Sequence, residues 1–281
     1  MLNEHLLVTS AEHYSDEVSL NPYCASTGID RTKAQREHAQ IVALFERAGI
    51  TITQIPAPSA CQDGMYVANW ALVNDGVAVL SRLPSVRADE EPYAAHALTE
   101  LGLHCIRVPE GLLFSGQGDA LACGRYLFAG QTYRSDIAAQ VFAAQALGLT
   151  VVLLETVPLI RNGKVCVNRA TCRPDSLFYD LDLALAVIDE QTIAYVPQAF
   201  TAPSRRQLDE LPLERIIVDY DEATKGFACN LVSTGQSVIL SAHAPQLQAE
   251  LEGRGLTILP VDATEIQKGG GFIRCISLSL S

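Results

Sequence analysis

The chain has 281 residues, 48% hydrophobic and 19% charged, which is enough apolar material for one large core or two modest ones, with no bias towards disorder. A formal net charge of −12 argues against a nucleic-acid backbone or an anionic membrane as partner. The opening stretch MLNEHLLVTSAEHYSD has no basic n-region, and the longest apolar run, TVVLLETVPLI, carries a glutamate and is too short for a bilayer, so a soluble, cytoplasmic protein is expected.

Taken in chain order, the elements repeat a phrase. HLLVTSA near the start reads as a strand, and ERAGITITQIP (46–56) as a helix end, a glycine stop and a β-branched strand. MYVANWALVNDGVAVLSR then predicts two strands around an NDG turn, and TELGLHCIRVP (99–109) repeats the helix-to-strand phrase. DALACGRYLFAGQTYR with QALGLTVVLLE (145–155) forms the next unit. YDLDLALAVIDEQTIAYVP with LPLERIIVD (211–219), and ACNLVSTGQSVILSA with EGRGLTILPVD (252–262), form two more. FIRCISLSL near the C-terminus is expected as a strand beside HLLVTSA, completing a fifth, split unit. The fold class is therefore α/β: five ββαβ units as the blades of a propeller with pseudo-fivefold symmetry around an axial pocket, residues 1–281 forming one domain.

Equivalent positions of such units converge on the axis. They carry Asn69, Asp119, Asp180 and Asp182, Asn230 and Cys275. Carboxylates and amides gathered around one thiol suit a planar cation, because carboxylates accept paired N–H bonds from a guanidinium or amidinium. The competing reading is that some of these Asp and Asn residues cap turns. Eight cysteines with no C-x-x-C pair and no His cluster read as thiols, most of them small buried hydrophobes, and no metal site or cofactor is expected. No phosphate-binding or dinucleotide glycine motif follows a strand, and no G-x-S-x-G elbow is present.

Several motifs in a fixed order carry a resemblance. They are A-N-x-x-L-V (Ala68 to Val73), S-R-x-x-x-x-R (Ser81 to Arg87), F-x-G-x-G-D (Phe114 to Asp119) and R-[ST]-D (Arg134 to Asp136). F-Y-x-L-D (Phe178 to Asp182), F-A-C-N (Phe227 to Asn230) and K-G-G-G-x-x-x-C (Lys268 to Cys275) follow. Together they resemble the amidinotransferase or pentein superfamily, nearest to dimethylarginine dimethylaminohydrolase and the arginine dihydrolase and citrullinase-like proteins. The resemblance implies that Cys275 attacks a guanidinium carbon to give a thiouronium-type intermediate, which water or an acceptor amine resolves. It implies that Asp119 and Asp182 grip the guanidinium, with Asn69 and Asn230 lining the site. Arg134 and Arg87 would hold the carboxylate of an amino-acid substrate.

Two positions depart from the pattern. The histidine of F-Y-H-L-D is Asp180 here, and the acid of F-E-G is Ser115. Asp180 can stand in for the histidine if burial and neighbouring carboxylates raise its pKa, or His243 can enter the site instead. In the third alternative arginine hydrolysis has been abandoned. The expected function is thus a Cys-dependent hydrolase or amidinotransferase-like enzyme on an arginine-like guanidino or amidino compound. The alternative is a silent relative that binds a small cation or a protein. The substrate and the oligomeric state stay open, a homodimer among the expectations.

Overall fold

The computed structural model describes residues 3–24, 28–59 and 61–280. Among them the fold is mixed α/β, with five three-stranded sheets and one two-stranded sheet, none closed on itself.

Each three-stranded sheet is built the same way, with an outer strand antiparallel to the middle one and a third strand parallel to it. In the first sheet His5–Val8 lies in the middle, antiparallel to Leu278–Ser279 (Leu6 opposite Ser279, Leu7 opposite Leu278) and parallel to Thr51–Gln54. The helix Arg31–Arg47 makes the parallel crossover. The second sheet joins Ala71–Asn74, Val77–Leu80 and His104–Arg107, with the helix Glu90–Glu100 as crossover. The third joins Ala120–Cys123, Tyr126–Gly130 and Thr150–Leu154 through the helix Ile137–Ala146. The fourth joins Leu185–Val187, Thr192–Tyr195 and Glu214–Ile217 through Ala202–Glu210. The fifth joins Val232–Ser233, Ser237–Ser241 and Thr257–Val261 through Pro245–Gly253.

Local chemistry explains these boundaries. Asp30 caps the first helix by accepting from the Lys33 N–H. Four crossover helices run into a glycine with positive φ (Gly49, Gly102, Gly148, Gly255), the left-handed stop that the repeated phrase predicts. The fourth ends instead at Leu211 before Pro212. Asp75 and Gly76, both at positive φ, make the two-residue turn between the first two strands of the second sheet. The strands alternate towards a core that includes Leu6, Val8, Phe45, Phe128, Ile193, Ile239 and Phe272, all essentially inaccessible.

Two expectations need correction. FIRCISLSL is a strand only at Leu278–Ser279, and Ile273–Ile276 form a turn that carries Cys275. The Oδ1 of Asn230 imposes that turn, accepting from the N–H groups of Phe272 (3.1 Å), Arg274 (3.0 Å) and Cys275 (3.2 Å). The sixth sheet, a hairpin of Ile160–Arg161 and Lys164–Val165, was not anticipated. No described helix is long and apolar enough to cross a membrane.

Candidate active site

All the candidate residues but the two arginines and Asp180 occupy one helical turn or bend just before the first strand of a sheet. Asn69 lies in Val67–Trp70, Asp119 ends Gly116–Asp119, Asp182 lies in Leu181–Leu183, and Asn230 and Cys275 sit in the matching turns. Asp180 precedes the third of these turns. Hydrogen bonds tie the turns to one another. Asn69 Nδ2 donates to the Ser115 carbonyl (3.2 Å), and the Leu181 N–H donates to Asp119 Oδ1 (3.2 Å). Asn230 Nδ2 donates to Cys275 Sγ (3.2 Å), and the Ala68 N–H donates to the Cys275 carbonyl (3.1 Å).

The thiol faces a narrow cavity whose walls carry Asp63, Asn69, Arg87, Arg134, Asp180 and Cys275. Leu20 and Asn21, from the loop before the first helix, also line it. Cys275 Sγ donates to Asp182 Oδ2 at 3.2 Å. Burial, then the charges of Asp182 and Asp180, push this thiol well above its ordinary range, so it is held as S–H when no cation is bound.

Asp180 is 4% exposed and doubly held: Oδ2 accepts from Asn69 Nδ2 (3.0 Å) and Oδ1 from the Ser115 hydroxyl (3.2 Å). Burial raises its pKa, while Arg134, Asn69, Arg87 and Ser115 pull the other way. Asp182 and Asp119 are pushed well above the carboxylate range, by burial first and by the Asp180 charge second. Three acids this close do not all ionise without a cation among them.

Arg134 stacks over the Tyr179 ring, 4.6 Å from its centroid, and donates to the Leu20 carbonyl at 2.7 Å. It takes part in no ion pair among the described residues, which leaves donors for an anionic group in the cavity. Arg87 is different. Its fork is occupied by Glu90 (2.8 and 2.7 Å), Nη2 donates also to the Tyr66 carbonyl (3.1 Å), and one of the two Nη1 protons goes to Asn69 Oδ1 (2.7 Å). It holds the wall of the cavity and has no free fork for a substrate carboxylate, which corrects the expectation.

Four further expectations shift. Asp119 does not line the cavity; its carboxylate fills the space over Gly130, where a Cβ would overlap Oδ1. Asn230 is fully buried and serves the Cys275 turn, with no face towards a ligand. His243 is half-exposed at the surface, 3.1 Å from Asp262, and no histidine lines the cavity. Asp182 meets the thiol but opens onto a second narrow cavity, shared with Arg274, whose guanidinium is buried against Asn3 and Gln117.

Sequence reasoning passed over Asp63, Glu90 and Tyr179. Asp63 is 6% exposed, and burial lifts its pKa to about 6 against the opposing charge of Arg87. The three-residue spacing of Arg87, which ends the short turn Ser85–Arg87, and Glu90, which begins the next helix, was a usable sign of their pairing. Among the described residues no group of three or more His, Cys, Asp or Glu is placed to hold a metal ion.

No family profile matches the chain. Over 275 residues it is 31% identical to the dimethylarginine dimethylaminohydrolase of Mycobacterium tuberculosis, covering 97% of this chain and 84% of the relative. The chain belongs to the guanidine-modifying, or pentein, superfamily. It is also 28% identical, over 282 residues, to the bifunctional arginine dihydrolase/ornithine cyclodeaminase AgrE of Nostoc sp., covering 98% of this pentein but only 37% of that longer protein. The N-terminal domain of the cyanobacterial arginine dihydrolase ArgZ, solved with substrate, superposes with a TM-score of 0.88 at 26% identity, covering 99% of this chain and 98% of that one. A variant of the same domain, covalently bonded to a reaction intermediate, matches as well (TM-score 0.88, 26% identity, 99% and 97% covered).

Proposed function

We propose that this pentein is a C–N hydrolase or amidinotransferase-like enzyme acting on a guanidino or amidino amino-acid compound through a covalent bond to Cys275. The observation that carries the reading is the thiol itself. It is held at 3.2 Å by both Asp182 and Asn230, on the wall of a buried cavity that also offers carboxylates for a cation and Arg134 for an anion. The five similar sheets, with their linked turns, support a five-bladed ring with that cavity on its axis and residues 1–281 as one unit. The relatives whose names specify dimethylarginine and arginine chemistry support the substrate class.

A bound guanidinium supplies the positive charge that the carboxylates and the thiol lack. The Cys275 proton passes to Asp180 as sulfur bonds the central carbon. Asp180 then protonates the departing nitrogen, the C–N bond breaks, and a cationic thiouronium remains on sulfur. Water adds to its carbon, giving a proton to Asp180. The C–S bond breaks as the hydroxyl proton returns to sulfur, leaving a ureido product and the thiol, and Asp180's proton goes to the released amine. An acceptor amine in place of water gives amidino transfer. Asp182 orients the sulfur, and Arg134 holds the substrate carboxylate.

The raised thiol pKa and the lack of a cavity histidine favour a second reading, a pentein that binds a cation without turnover. Mass spectrometry of the intact protein after incubation with guanidino and amidino compounds separates the two. A covalent increment on Cys275, absent in Cys275→Ala, supports the enzyme, whereas ligand-dependent stabilisation with no increment supports the binder.

A further inference from the structure

Ser115 and Asp180 are the two places where this chain leaves the motif pattern, and the fold puts them in contact: Ser115 Oγ lies 3.2 Å from Asp180 Oδ1. We propose that Ser115 is a positioning residue for Asp180, and that the two positions form one unit in which a hydroxyl at 115 is what lets a carboxylate at 180 carry the proton. This rests on the function proposed above and adds to it the residue that sets its acid–base group.

The direction of the hydrogen bonds is the argument. Arg87 Nη1 donates to Asn69 Oδ1 (2.7 Å), so the Asn69 amide nitrogen is turned the other way and shares its two protons among Ser115 Oγ (2.9 Å), the Ser115 carbonyl (3.2 Å) and Asp180 Oδ2 (3.0 Å). A hydroxyl that accepts from Asn69 has its single proton left for Asp180 Oδ1. The relay thus runs one way, from a fixed cation through an amide and a hydroxyl to a carboxylate. Both oxygens of Asp180 receive a donor, which fixes its plane against the cavity. The backbone of Ser115 is itself anchored, its N–H donating to Ser135 Oγ at 3.1 Å.

A carboxylate at 115 would stand beside Asp180 with no hydroxyl proton to offer. Two acids so placed share one proton and titrate as a pair, so neither is free to take the thiol's proton and return it. An imidazole at 180, by contrast, offers an N–H to such a carboxylate and would find only a weak acceptor in Ser115. Each residue suits the other, and changing one alone breaks the pair. The charged and titratable groups that face Asp180 are Arg87, Arg134, Asp119, Asp182, Cys275 and Tyr179, and the comparison below leaves all of them in place.

The direct test needs no turnover. Carbon-13 NMR titration of the Asp180 carboxyl in the full chain should show its pKa rising by about one unit in Ser115→Ala, because a donor to the ionised form has been removed, and staying near the parent value in Ser115→Thr. An unchanged titration in Ser115→Ala overturns the proposal, whether or not the protein proves to be an enzyme. With a compound that labels Cys275, Ser115→Ala should lower kcat about tenfold at unchanged KM and move its pH profile alkaline. Asp180→His and Ser115→Glu should each lose activity, and the double variant should exceed both. Additive losses in that cycle would also overturn it. If no compound labels Cys275 but the carboxyl shift is seen, the enzyme reading fails and the coupled pair stands.

Discussion

Arg87 and Glu90 meet through two parallel hydrogen bonds, Nε to Oε1 at 2.8 Å and Nη2 to Oε2 at 2.7 Å, with both side chains buried. Glu90 Oε2 also accepts from the Trp70 indole (2.9 Å), so a core aromatic, an ion pair and the cavity amide Asn69 form one connected strut. Glu90→Ala strands a buried guanidinium and should cost about 3–5 kcal/mol in urea unfolding. Adding Arg87→Ala should recover part of that loss; a fully additive double variant would mean that the two do not act as a pair.

Cys275→Ala should leave the fold within about 1 kcal/mol of the parent, since a small side chain is exchanged for a smaller one. Turnover should vanish. Unfolding curves and steady-state assays on the same preparation check both halves, and retained activity would remove the covalent mechanism.

Burial first, and the carboxylates second, suppress the thiolate in the ligand-free protein, an effect with a definite sign. Alkylation of Cys275 by iodoacetamide should stay slow through neutral pH and rise only in alkali. Asp182→Asn removes the nearest negative charge and should speed labelling at pH 8 about tenfold. A slower rate would instead make Asp182 the base that activates the sulfur.

Asp63 makes stability depend on pH. Its folded pKa of about 6 lies above the 3.8 of an unperturbed aspartate, so the folded state binds the proton more tightly. The resulting stability is fully present below pH 3.8 and is lost as pH rises through 6, about 3 kcal/mol in all. Asp63→Asn should remove this component. Urea denaturation of both proteins from pH 4 to 7 should show the parent losing stability relative to the variant across that window.

Arg134 forms no ion pair among the described residues, whereas the Arg87 fork is filled by Glu90. Arg134→Ala should therefore raise KM roughly 10- to 100-fold for a substrate bearing a carboxylate, with little change for its decarboxylated analogue. Equal effects on both compounds would assign Arg134 to the fold.

The repeat was legible because each unit carries its own local punctuation, such as the stops at Gly49 and Gly255 and the Asp75–Gly76 turn. The Asn162–Gly163 turn of the Ile160–Val165 hairpin offered the same kind of signal and was missed. What could not be read locally was the turn at Ile273–Ile276, where alternating apolar residues suggest a strand. A distant side chain, Asn230, overrides that preference by collecting three backbone donors. Asp63 was invisible for a related reason: it lies in a loop with no periodicity, and only the packed structure brings it beside Arg87. The departures at Ser115 and Asp180 were legible one by one, but their contact was not.

The carboxylate of Asp119 rests in the space that Gly130 leaves by lacking a side chain. A single methyl group at position 130 would evict it, so Gly130→Ala and the loss of Asp119 are one lesion entered at two different codons. Whoever inspects variants or distant relatives of this chain should score the two positions jointly. An intact aspartate beside a substituted glycine would look harmless in an alignment while its carboxylate had been moved from its seat.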